Sequence, residues 1–191
     1  RNFTQDRHKK VDDTPYGGGA GMVLMCQPFF DAYESIKRSE NSSALILTPQ
    51  GKTFDQGMAE QLSKNDQIVM ICGHYEGFDE RIREIPGLTE ISIGDFVMTG
   101  GELASLCIID AVARLIPGTL GKDESAHEDS FSGGLLEYPH YTRPYEFRGK
   151  KVPDILLSGN HQEIAKWRKE QAIERTKQKR PDLYEKFINK N

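Results

Sequence analysis

Residues 67–77 read QIVMICGHYEG, a continuous apolar run stopped by a glycine and followed by a polar tripeptide between two glycines. An apolar run without the alternation of a half-exposed strand is the pattern of a β-strand covered on both faces. Outward from it, residues 44–47 form a second strand candidate closed by Thr48-Pro49-Gln50-Gly51. Residues 91–98 form a third, interrupted by Gly94-Asp95 and stopped by Gly100-Gly101. Residues 28–38 and 55–63 carry helical spacing, and residues 102–116 read as a strong amphipathic helix ended by Pro117-Gly118. Strands and helices alternating in this way predict an α/β fold on a parallel sheet.

With 191 residues and 37% hydrophobic composition, the chain is long enough to bury a sizeable core. Its mean hydropathy is −0.60. The longest apolar stretches, such as residues 103–109, fall far short of the roughly 20 residues a membrane span needs. Cys26, Cys72 and Cys107 are widely spaced among apolar neighbours, which fits neither a disulfide framework nor a paired-cysteine metal site. The expected compartment is the reducing cytoplasm.

A net charge of −4 argues against a wholly basic nucleic-acid binder, but the charge is unevenly placed. Residues 143–180 hold eleven Lys or Arg against five Asp or Glu, net +6, leaving fourteen against twenty-four, net −10, elsewhere. A basic C-terminal module on an acidic body points to a polyanion such as RNA, with a solvated helix face as the plainer alternative. Residues 121–137, GKDESAHEDSFSGGLLE, lack apolar periodicity and read as a mobile loop between domains 1–120 and 138–191. Residues 164–179 form a basic helix ended by Arg180-Pro181, and Asn160 three residues before Glu163 is a capping arrangement.

Glycine concentrates at Tyr16-Gly17-Gly18-Gly19-Ala20-Gly21, at 48–51, at 73–77 and at 93–101. Two phosphate motifs fail. Gly51-Lys52-Thr53 ends like a P-loop, but the required glycine at 46 is Ile46, and the 17–22 run breaks the dinucleotide spacing. Three of the clusters follow the three strand candidates, the edge at which open α/β sheets bind ligands. Each alone is an ordinary turn signal; together they suit an adenine-containing ligand held by backbone groups.

The blocks VDDTPYGGGAGM, LTPQG, ICGHYEGFDER, EISIGDFVMTGGELA, RLIPGTLG, EDSF, PHYTRP and VPDILLSGNH stand in the order and spacing of one family. Over nearly its whole length the chain resembles the bacterial tRNA (guanine-N1)-methyltransferases, the TrmD type of the SPOUT class. The resemblance implies a trefoil knot in the α/β domain, S-adenosylmethionine bound there, a small helical C-terminal tRNA-binding domain, and a homodimer with active sites at the subunit interface. The implied reaction methylates N1 of the guanosine immediately 3′ of the anticodon. Loops supplying Leu47, Thr48, Pro49 and Gly51, then Gly73, Tyr75, Glu76 and Gly77, are implied cofactor contacts. So are Ile93, Gly94, Phe96, Met98, Thr99, Gly100 and Gly101.

Asp129, in EDSF, matches the family's general base, as guanine N1 must lose its proton to become a nucleophile. Arg114 matches the arginine assigned to the guanine, where a cation would offset charge building on O6. Glu76 matches a carboxylate near the cofactor. Magnesium is implied by the family with no ligand set identifiable from spacing. The plainer alternatives are that Asp129 is a loop residue, Arg114 the cationic end of a helix and Glu76 a turn residue. His127, two positions before Asp129, is a competing base. His8, His140 and His161 read as ordinary polar residues.

The sequence also departs from the family. A strand and helix carrying an LFPEMF-like segment, about 40 residues at typical element lengths, are expected before Arg1 and absent from the chain, and the last C-terminal helix is expected to be missing. Ala104 replaces a proline after GGEL, and Phe96 replaces a tyrosine. Two competing readings are an RNA-binding dimer without catalysis, and a SPOUT enzyme acting on ribose 2′-OH.

Overall fold

The computed structural model describes residues 1–119 and 129–189. The chain divides into two compact units, Arg1–Thr119 and Leu120–Asn191.

In the first unit, β1 (Asp12–Asp13) pairs antiparallel with β2 (Val23–Leu24). Then follow α1 (Cys26–Glu34), β3 (Ser42–Thr53), α2 (Gln56–Leu62), β4 (Gln67–Ile71), a 3₁₀ turn Glu80–Glu84, β5 (Leu88–Ser92) and α3 (Glu102–Ala113). The main sheet has the order β4-β3-β5, and β3 runs parallel to both neighbours, as the alternation predicts. As the middle strand, β3 is covered on both faces, and its alternating side chains divide between two cores. Leu45 and Leu47 pack with Ala59, Leu62, Ile91, Ala104, Ile108 and Val112. Ala44 and Ile46 pack on the other face with Tyr33, Ile71 and Ile82, ringed by Phe29, Phe30 and Phe78. Asp55 starts α2 because its carboxylate accepts the Met58 N–H at 2.9 Å.

The third strand is displaced from its expected bounds: β5 occupies Leu88–Ser92, and residues 93–98 belong to a loop. Pro86-Gly87 ends the preceding turn, so the strand begins earlier. It stops where Ser92 Oγ bonds both the N–H and the carbonyl of Gly94. The helix read as amphipathic is apolar on both sides. Ala104, Ile108 and Val112 are buried, while Leu103, Leu106 and Ile109 are exposed at 65%, 57% and 46%. The exposed apolar side belongs to the run 102–116 that the sequence reads as amphipathic.

In the second unit, β6 (Glu146–Phe147) and β7 (Lys150–Lys151) form an antiparallel hairpin, followed by a 3₁₀ turn Asp154–Leu157. Helix α4 (His161–Lys179) is capped as expected, Asn160 Oδ1 accepting the Glu163 N–H at 3.3 Å. Pro181, placed at the first helical position where its missing N–H costs nothing, opens a further helix, α5 (Pro181–Ile188). Fully buried Thr176 donates to the Ala172 carbonyl at 2.7 Å and accepts the Leu136 N–H at 2.8 Å, tying residues 136–137 to α4. The Arg168 guanidinium lies 4.7 Å over the Tyr138 ring.

Candidate functional site

Three loops at the C-terminal ends of β3, β4 and β5 enclose one pocket of about 310 Å³, at the lower end of small-ligand sites. The first arises because β3 leaves its partner: Leu47 and Lys52 both register with Ile91, so residues 48–51 loop out between them. A Cβ on Gly51 would lie 2.4 Å from the Ile91 nitrogen, so only glycine permits this close return. The second loop follows β4. Tyr75 is held at φ +63, a region that side chains rarely adopt, while the Glu76 N–H donates to the Met22 carbonyl at 3.0 Å. Gly21 leaves room for Glu76, since a Cβ there would fall 2.4 Å from the Glu76 side chain. Gly21, at the end of the GGGAG segment, and Met22 thus back the 73–77 loop.

The third loop, residues 93–101, docks on the second. The Gly101 N–H donates to the Gly73 carbonyl at 3.1 Å, and His74 and Gly100 form an antiparallel bridge. A Cβ on Gly101 would sit 2.8 Å from Cys72 Cα. Gly51 and Gly101 thus bring backbone against backbone, while Gly73, Gly100 and Gly101 line the cavity without side chains.

Fourteen of the fifteen cofactor contacts implied by the resemblance line this pocket. Leu47, Thr48 and Pro49 come from the first loop, Gly73, Tyr75, Glu76 and Gly77 from the second. Ile93, Gly94, Phe96, Met98, Thr99, Gly100 and Gly101 come from the third. Gly51 does not line it, because its contact is with the β5 backbone.

His74 and Val97, inside loops that the sequence assigned to the ligand but not singled out there, and Arg83 and Ser92, outside those loops, also line the pocket. His74 and Arg83 lie in or beside the quoted GHYEGFDER block, but adjacency in sequence does not tell which side chains turn inward.

Arg83 is mostly buried and pairs with Glu90 and, at 3.2 Å through Nε, with Glu80. That Nε is an ion-pair contact rather than a hydrogen bond, because Nε has no aligned acceptor. With its charge met by two carboxylates, Arg83 does not offer a triphosphate cradle. The Glu102 carboxyl is held below its ordinary range by its own backbone N–H at the start of α3 and by His74. Burial pushes the Cys72 thiol up, which disfavours the reactive thiolate.

The two residues assigned to chemistry lie on different units. Arg114 is the exposed C-cap of α3, in the first unit. Asp129 is half-buried in the second, where its carbonyl accepts the Ser132 N–H at 3.3 Å. His127 and residues 121–128 of the expected mobile loop lie outside the described residues. Among the described residues, no three side chains of metal-ligating type converge, and no helix is long and apolar enough to cross a membrane.

A family model described as tRNA (Guanine-1)-methyltransferase TrmD matches residues 1–186. A tRNA (guanine-N(1)-)-methyltransferase of Dehalococcoides mccartyi strain BAV1 is 56% identical over 189 residues, covering 98% of this chain and 76% of the relative. Its namesake from Clostridium tetani is 56% identical over 187 residues, with 98% and 78% covered. That of Halalkalibacterium halodurans is 56% identical over 187 residues, with 97% and 76% covered. The match over this length, on a chain whose glycine loops gather around one pocket, establishes that this protein belongs to the tRNA (guanine-1)-methyltransferase TrmD family.

Proposed function

We propose that the protein transfers a methyl group from S-adenosylmethionine to N1 of the guanosine immediately 3′ of the anticodon in tRNA. The observation that carries this reading is the convergence of fourteen family-matched residues on one backbone-lined pocket. S-adenosylmethionine would supply an electrophilic methyl on a sulfonium. The pocket fits that ligand: peptide edges at Ile93, Gly94 and Gly100 suit an adenine, and the Glu76 carboxylate at the rim suits the cationic end. The same three loops, packed on one another at the sheet edge, are where we place the family's trefoil knot.

Asp129 is the proposed base for the N1 proton, and Arg114 the group that offsets charge on O6 as that proton leaves. The remaining acceleration comes from aligning nucleophile and methyl. Magnesium has no converging donor set among the described residues, and no step is routed through it.

The partners follow from the surfaces. Residues 103, 107, 110 and 114 share one side of α3 by helical spacing. Arg114 therefore stands at the end of the exposed apolar stripe of Leu103 and Leu106. A second copy covering that stripe would bring Arg114 into a subunit interface, which supports a homodimer. The segment 138–191, joined through residues 121–137 to the donor-binding domain 1–120, is the proposed tRNA-binding domain. Its hairpin supports this: Phe147 is 62% exposed with the Arg148 guanidinium 5.2 Å over its ring, beside Lys150 and Lys151. Three free cysteines support a cytoplasmic setting.

Nuclease digestion and mass spectrometry of tRNA methylated by the protein test the reading. N1-methylguanosine is expected. A 2′-O-methyl nucleoside would redirect it to ribose chemistry, and tRNA binding without product would leave the non-catalytic dimer.

A further inference from the structure

His74 and Glu102 stand 28 residues apart in sequence, yet His74 Nε2, on a residue that lines the pocket, lies 2.6 Å from Glu102 Oε1 at the start of α3. They join elements of different rigidity. Glu102 opens α3, a helix anchored in the core by Ala104 and Ile108, whereas His74 belongs to the 73–77 loop. The space between them is reserved by Gly100. A Cβ there would lie 2.4 Å from the Glu102 carboxylate and 2.8 Å from the His74 ring. Next in the chain after His74 is Tyr75, at φ +63 with its ring 6.2 Å from the imidazole, and then Glu76 at the pocket rim.

We infer that His74 and Glu102 form a clasp that fixes the 73–77 loop against the 99–101 loop, making both of them positioning residues for the methyl donor. The inference rests on the donor site proposed above. Both side chains are more than half exposed, so the pair contributes little to global stability. Its effect falls instead on the loop conformation that presents Tyr75, Glu76 and the Gly77 backbone to the ligand. Without the clasp the loop keeps its backbone bonds to Met22, Leu24 and Gly101 and loses the side-chain link from His74 to α3.

The test is calorimetric affinity for S-adenosylmethionine and for S-adenosylhomocysteine with His74→Ala, Glu102→Ala, the double variant and His74→Gln, alongside melting temperatures. Each alanine variant should weaken both ligands about fivefold, the upper end for an exposed charged pair, with the double variant no weaker than the weaker single one. The glutamine variant, which keeps an N–H donor at similar reach, should recover most of the affinity, and melting temperatures should stay unchanged. Singles that bind as tightly as the parent protein, or losses that simply add in the double variant, would overturn the clasp. Absence of binding by the parent protein would overturn the donor site itself, and the clasp with it.

Discussion

The first unit buries Leu45, Ile46, Ile91 and Ile108 almost completely and turns glycine-rich loops outward at one sheet edge. The second, among its described residues, buries only Ala172 and Thr176 and presents Tyr141, Tyr145, Phe147 and a set of Lys and Arg side chains to solvent. One spends its apolar residues on a scaffold that holds backbone edges still. The other keeps aromatic rings and cations on its surface, where an RNA can reach them. Shape recognition of a small ligand needs the former; a long anionic partner needs the latter.

The largest expected effect comes from the proposed division of chemistry between the two units. Asp129→Asn should lower methyl transfer by about 10² to 10⁴, the range for a lost general base, while donor and tRNA affinities hold. Single-turnover kinetics beside binding isotherms check this, and a fully active variant removes Asp129 from the mechanism.

Next in size is a stability contrast. Ile46, fully buried in the central strand, should cost about 2–5 kcal/mol when cut to alanine. Leu157, 62% exposed in the second unit, should cost less than about 0.5 kcal/mol when cut the same way. Urea unfolding of the two variants measures the gap, and equal losses would break the comparison.

Phe147→Ala should raise the KM for tRNA by about five- to tenfold through lost base stacking, without moving donor affinity. Phe147→Tyr should restore it. An unchanged KM would take the hairpin out of the RNA surface.

The sheet and its direction were legible because QIVMI and ALIL are short apolar runs bounded by turn residues and alternate with helical patterns. The pocket was legible for a similar reason, since glycines after strands are costly unless backbone must approach backbone. The bounds of β5 were not, because 93–98 is as apolar as a strand and only the Ser92–Gly94 turn ends it. Nor was the second apolar side of α3, since residues 102–116 are apolar enough to satisfy a helical pattern whether one side is covered or two. His74 escaped because its partner Glu102 lies in another block. The roles proposed for Arg114 and Asp129 rest on family resemblance alone, as neither spacing nor charge joins an α3 cap to a loop in the other unit.

The smallest effect is in acid. The Arg81 guanidinium, with the Cys26 thiol, holds the Asp79 carboxyl well below the usual carboxylate range. A depressed carboxyl stabilises the fold above its unfolded pKa, near 3.9, and that share is lost as pH falls through the folded value. Asp79→Asn should therefore lower the melting temperature slightly at pH 7 and narrow its difference from the parent protein near pH 3. A difference that does not change with pH would assign Asp79 a purely packing role.

The proposed reaction moves a methyl group from S-adenosylmethionine to a tRNA guanosine. Its most direct test is transfer of labelled methyl from S-adenosylmethionine to two tRNA transcripts that differ only in carrying guanosine or adenosine just 3′ of the anticodon. Label on the guanosine transcript alone is expected. Equal label on both, or label on neither with tRNA still bound, would contradict it.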